Sequence, residues 1–180
     1  MGKVNNTNTG TAAATTTTEK PAEPEFQAKL IIEDDVFQKI MHWVHKAAEK
    51  RLECSGLGKV VYDEATNVFR VVDAIMVKQE NTGSTTEMDP NAIGEAMYKL
   101  KDSEGMLNWW WHSHVKMDVF WSGTDHDAIR QLGGPGWFLA TVFNVFEEMR
   151  SCYYQAKPFR IFADHLETEV ERQIDEDLIT

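Results

Sequence analysis

The chain has 180 residues, and setting aside an unstructured front of roughly 20 to 25 leaves about 155, the size of one folded domain and too few for two. Hydrophobic residues make up 42% and charged residues 26%, with 9 Phe, 6 Trp and 4 Tyr, which excludes a wholly disordered chain. Eighteen Lys and Arg against 29 Asp and Glu give a net charge of −11, a field that repels the phosphate backbone and argues against a nucleic-acid partner. Cys54 and Cys152 are too few for a disulfide framework or a Cys-based zinc site. No run approaches the ~18 apolar residues of a membrane span and no cleavable signal is read, so the expectation is a cytoplasmic protein with no membrane partner.

Residues 1–25 carry Thr7, Thr9, Thr11 and Thr15 to Thr18 with Ala12 to Ala14, Pro21 and Pro24, and read as a disordered Thr/Ala-rich tail. Gly2 is no myristoylation signal, because Asn6 stands where that signal needs Ser or Thr. From Asp34 or Asp35, a cap residue, Val36, Ile40, Trp43, Val44, Ala47 and Ala48 recur at helical spacing, predicting a helix that ends near Glu53, with Gly56 and Gly58 breaking it. Residues 59–62 and 68–76 are Val- and Ile-rich runs around a polar turn, the pattern of paired strands. A polar loop is expected over 78–88. Asp89 and Pro90 then open a helix with Ile93, Ala96, Met97 and Leu100 on its apolar face.

Residues 106–111 read as a buried strand, and 137–146 as a longer one entered through Gly133, Gly134, Pro135 and Gly136, with a helix through Ala128, Ile129 and Leu132 between them. Residues 151–155 and 159–162, divided by Lys157 and Pro158, read as closing strands. The segment 164–180 holds seven acids and one Arg, contributes six of the eleven net negative charges, and is expected to be an acidic helix or solvated tail. There is no internal repeat, and the order of elements predicts a single α/β mixed sandwich.

The chemistry concentrates between the two apolar strands. Alternate strand residues share a face at ~6.6 Å spacing, so His112 and His114 project together while Ser113 faces away. Two imidazoles and a carboxylate with a fourth position left to water make a catalytic zinc arrangement, and Asp125, in the first turn of the following helix, is the candidate third ligand. Each piece also has a plainer explanation. A His-x-His pair is commonly a core or surface pair, Ser122-x-x-Asp125 is also a helix-capping pair, the three tryptophans 109 to 111 are core aromatics, and Glu53 is a surface acid at a helix end.

Taken jointly, Glu53 in Glu-Cys-Ser-Gly-Leu-Gly followed by His112-Ser113-His114, seven residues, Ser122, two residues and Asp125 resembles the JAMM motif of the JAB/MPN metalloprotease family. The wording Trp-Trp-His-Ser-His and Val-Phe-Trp-Ser-Gly-Thr-Asp is similar to its bacterial and bacteriophage branch, and the resemblance spans 34–163. It implies an MPN-like (cytidine-deaminase-like) sandwich with a central, mostly antiparallel sheet flanked by helices. It also implies one catalytic Zn²⁺ on His112, His114 and Asp125, and hydrolysis of an amide or isopeptide bond in a protein or peptide substrate. Glu53 would then move the proton of the attacking water and Ser122 would donate to the oxyanion. Val115 and Trp121 stand where many members carry Pro, and the short 133–136 connection leaves no room for the insert that grips polyubiquitin. The alternative is a non-catalytic MPN-type scaffold. A zinc deaminase would need His-x-Glu and Pro-Cys-x-x-Cys, and the chain has neither. The oligomeric state is not indicated by the sequence.

Overall fold

Leu30 and Ile32, both fully buried, lie on β1 (Lys29–Glu33), a short strand that runs directly into α1 (Asp34–Glu49). The computed structural model describes residues 26–77, 79–82, 85–134 and 136–172, the side chains of 79–82 and 85–88 excepted. The expected tail over 1–25 and the last residues of the acidic segment lie outside the described residues. After α1 come β2 (Ser55–Asp63), β3 (Val68–Met76), a small hairpin of β4 (Gln79–Thr82) and β5 (Thr85–Met88), and α2 (Pro90–Lys99). Then follow β6 (Met106–Ser113), α3 (Gly123–Leu132), β7 (Trp137–Phe143), β8 (Met149–Gln155) and β9 (Ile161–Glu171).

The strands close on themselves in the order β1-β3-β2-β6-β7-β8-β9, with β9 pairing back onto β1. β1 runs parallel to both of its neighbours and β6 runs parallel to β7, whereas the other pairs are antiparallel. This overturns the expected sandwich: the described residues form a closed, mixed, seven-stranded barrel with three short helices, not a helix-flanked sheet. Closure comes from β1, which was not expected, and from β9, which starts in the expected closing strand over 159–162 but runs on through the acidic segment expected to be a helix or tail; Leu166 is buried while Glu167, Glu169 and Glu171 alternate outward. Their charge is met by neighbouring strands, since Lys29 Nζ lies 2.6 Å from Glu169 and Arg70 pairs with Glu171.

The wall has an apolar cluster on each side, and β6 serves both. Trp109 and Trp111 enter the cluster containing Phe37, Ile40 and Val44 of α1, with Trp43 stacked on Trp111 at 5.5 Å and 8°. Trp110 faces the other way, into the cluster with Ala96 of α2, Ile129 of α3 and Phe138. Apolar spacing forms the α1 face, and Asp34 and Asp35 complement the positive end of its dipole. In α2, the Asp89 carboxylate accepts from the Asn91 N–H at 2.9 Å and Pro90 occupies the first turn. Gly56 and Gly58, expected to break a helix, lie inside β2 opposite Trp111 and Trp109. Among the described residues no helix is long and apolar enough to cross a membrane.

Candidate metal centre

The second face of β6 carries the chemistry. His112 follows Trp110 on that face and stacks on it, with ring centroids 4.4 Å apart and planes 11° from parallel. His114 lies just past the strand end, its N–H donating to the Phe143 carbonyl at 2.8 Å. Ser113 points away, and its hydroxyl accepts from the Cys54 N–H at 2.9 Å. The Ser113 N–H returns a bond to the Cys54 carbonyl at 2.9 Å, which extends the β2–β6 register past its paired end. Since Ser55 lies opposite His112 in that register, Glu53 comes opposite His114 on the same face. Glu53 is therefore not at the end of α1, which stops at Glu49, but in the connection into β2.

Asp125 reaches the same point from α3. Ser122 is the cap of that helix, accepting from the Asp125 N–H at 3.2 Å, and its own N–H and O–H both donate to Asp125 Oδ2 at 2.7 Å. The capping pair and the candidate site thus share residues. With Oδ2 occupied by Ser122, Oδ1 faces His112 Nε2 at 3.3 Å. His112 Nε2 and His114 Nε2 are 3.2 Å apart, and one ligand atom from each of the three residues lies within 4.8 Å of the others. All three side chains are buried.

Two ligand atoms ~2.0 to 2.1 Å from one zinc ion at a tetrahedral angle stand roughly 3.3 to 3.4 Å apart, close to the 3.2 and 3.3 Å found here. The proton positions point the same way. His114 Nδ1 donates to the Asp118 carbonyl at 2.9 Å, which turns a lone pair on Nε2 toward the centre. His112 Nδ1 is buried without a hydrogen-bond partner among the described residues, so its ring is held by the Trp110 stack. Nδ1 goes unmet in either tautomer; with the proton on Nε2 the ring donates to Asp125, and with it on Nδ1 two lone pairs and a carboxylate oxygen converge on one point and repel unless a cation lies between them. The residues fit a metal.

The electrostatics are those of a buried centre built around an ionised carboxylate. Burial would raise Asp125, but the hydrogen bond and field of His112 and the Ser122 donors outweigh it and hold the carboxyl at about 2. Burial keeps His114 below the ordinary imidazole range, the neutral state a ligand needs. Glu53 is raised, chiefly by burial and further by Asp125, against the opposing pull of His112. That is the direction which suits a group exchanging a proton near neutral pH. Glu53 and His114 also line one cleft of about 540 Å³.

Ser122 gives the first test. Ser122→Ala removes the cap and the hydroxyl donor to Asp125, its backbone N–H donor remaining, and is expected to cost about 1 kcal/mol of stability and to lower zinc affinity roughly 10-fold or more. Thermal denaturation and competition with a chromogenic chelator measure the two effects separately. Unchanged zinc affinity would confine the hydroxyl to capping.

No known family profile matches the chain, and no curated protein matches it. The solution structure of protein DSY2949 from Desulfitobacterium hafniense is similar over 82% of this chain and 96% of that one, with a TM-score of 0.57 at 13% identity. At that identity the likeness concerns the fold alone. Sequence reasoning brought out neither the stacking of Trp110 on His112 nor the cleft beside Glu53. The Trp-x-His spacing is the signal that placed both rings on one strand face.

Proposed function

We propose that the protein is a zinc-dependent metallopeptidase or isopeptidase that hydrolyses an amide bond of a protein or peptide substrate. The observation that carries this reading is the convergence of His112, His114 and Asp125 on one buried point beside a cleft that Glu53 lines. The motif resemblance to JAB/MPN metalloproteases supports it on these residues, independently of the sandwich that the barrel replaces. His112 Nε2, His114 Nε2 and Asp125 Oδ1 would hold the ion, which when bound makes water deprotonate near neutral pH and polarises a carbonyl.

The chain's own residues then divide the work. The raised pKa of Glu53 lets its carboxylate accept a proton from water and return it to the leaving amine. Asp125 is kept ionised and His114 neutral, the protonation states in which both can act as ligands. Ser122 holds Asp125 Oδ2 and so aims Oδ1; its hydroxyl reaches an oxyanion only by giving up that bond. Trp110 fixes the His112 ring plane, and Trp121, with its ring 6.0 Å from His112, helps to exclude water on the α3 side. Buried free thiols at Cys54 and Cys152 support a reducing, cytoplasmic location.

The test compares wild type with Glu53→Gln. Elemental analysis of both should give about one zinc per chain, and only wild type should release amines from a library of peptides and ubiquitin-like conjugates, the variant losing at least ~10²-fold in rate. Iron in place of zinc, or equal turnover by the two proteins, would sink the assignment. Full zinc occupancy with no turnover in wild type would favour the non-catalytic scaffold.

A further inference from the structure

The cleft beside Glu53 and His114 runs away from the candidate centre between the end of α1 and the loop after β6, and is lined by Arg51, Leu52, Val115, Lys116 and Met117. Its charge is unlike that of the whole molecule. Glu49, at the rim, accepts from Lys46 Nζ at 3.1 Å, and Glu53 lies toward the centre, within the field of His112 and Asp125. Arg51 and Lys116 form no ion pair among the described residues. Two uncommitted cations thus share a concave, partly apolar space next to the proposed reaction point, in a chain whose net charge is −11.

Backbone strain marks the same two segments. Arg51 has φ 57° and Val115 φ 51°, left-handed values that are uncommon outside glycine and, for a β-branched residue, an outlier. Arg51 ends α1 in a double turn, its N–H bonding Ala48 O at 2.9 Å and the Leu52 N–H bonding Ala47 O at 3.1 Å. In that turn the left-handed position is usually Gly. An arginine there forgoes backbone ease and projects a cation into the cleft. Val115 is locked from outside: its carbonyl accepts from the Val145 N–H at 2.8 Å, while buried Asn144 donates to the Met117 carbonyl at 3.1 Å. Strain held in place by surrounding structure clusters where ligands are clamped.

We propose that this cleft is a substrate subsite that receives a carboxylate, from an acidic side chain or a chain terminus, on Arg51 and Lys116, with an apolar neighbour against Leu52 and Met117. The proposal rests on the hydrolase reading for its place beside the scissile bond. A guanidinium and an ammonium suit a carboxylate, and attraction at a partly exposed site weakens as salt rises. Leu52 and Met117, 36% and 52% exposed, offer the apolar contact.

The experiment uses the full chain carrying Glu53→Gln, so that nothing is cleaved, loaded with zinc. Four dansyl-labelled octapeptides of Gly, Ala and Leu are titrated by fluorescence anisotropy, with Glu or Gln at the centre and a free or amidated C-terminus. At least one carboxylate is expected to tighten binding about tenfold at low salt, with the preference lost in added Arg51→Ala, Lys116→Ala. A preference that follows the central Glu identifies a side chain as the source, and one that follows the free end identifies a terminus. Arg51→Gly is the folding control: glycine accepts the left-handed turn, so its melting temperature should be unchanged or higher while the preference falls. Equal affinity for all four peptides, or a preference that survives loss of both cations, overturns the subsite. Carboxylate preference without cleavage by the Glu53-containing wild type would instead count against the hydrolase reading, so the two failures are distinguishable.

Discussion

Alanine at His112 is expected to abolish stoichiometric zinc binding, together with the stability that zinc confers. Three side chains converge on the centre, and His112 Nε2 lies 3.2 Å from His114 Nε2 and 3.3 Å from Asp125 Oδ1, next to both of the other candidate ligands. Removing an outer hydrogen-bond partner of a ligand typically lowers metal affinity 10- to 100-fold, so removing a ligand should exceed ~100-fold. Zinc at 100 times its dissociation constant stabilises the protein it binds by about 2.7 kcal/mol. For a domain of this size that is a rise in melting temperature of roughly 5 to 10 °C, present in wild type and absent in His112→Ala. Chelator competition and thermal melts with and without zinc measure both. His42, exposed on α1, serves as the control: His42→Ala should retain the full zinc-dependent rise. A wild-type melt indifferent to zinc would remove the centre from the account.

The largest stability effect should come from β2. A Cβ on Gly56 would lie 2.0 Å from the Ile75 carbonyl oxygen and 2.7 Å from the Trp111 ring. Neither neighbour has room to retreat: the first is backbone in β3, and Trp111 is fully buried and stacked on Trp43. Gly56→Ala is therefore expected to cost about 3 kcal/mol or more, at or beyond the upper end of overpacking effects. The same substitution at Gly94, where an added Cβ meets nothing within 4 Å, should leave stability unchanged or raise it slightly, because alanine favours the helix. Urea unfolding of the two variants beside wild type decides the matter; equal midpoints would mean that the wall of the barrel yields more readily than its packing indicates.

Local patterns made much of the chain legible before its fold was known. The apolar spacing of Val36, Ile40 and Val44, the Asp89–Pro90 helix start and the alternation of His112, Ser113 and His114 at the end of β6 each reflect neighbours close in sequence. Closure of the barrel was not legible, because it depends on β1 meeting β9 from the far end of the described chain. β1 runs into α1 with no turn residue to mark it, and the acids of β9 hid the period-two pattern of Leu166, Thr168 and Val170. The end of α1 was misplaced for a related reason: its left-handed turn carries Arg51 instead of the glycine that would have announced it. At the site, residue types and spacing named the three candidate ligands, but only the β2–β6 register explains why Glu53, from a separate segment, shares their face. Ring stacking and cleft shape are products of packing and leave no motif.

The pairing of β1 with β9 also sets an order of events during synthesis. As the chain leaves the ribosome, α1, β2, β3 and the segments bearing His112, His114 and Asp125 are all available before β9 emerges. Until then β1 has an unpaired edge and β8 another, and open strand edges invite pairing with other chains. The closing contact has the greatest sequence separation in the sheet, which makes it a late step with a large loop-closure cost. Once β9 has emerged and before it pairs, the glutamates alternating along it keep its outward face hydrated, so the acidity that obscured the strand also keeps that strand from pairing with other chains.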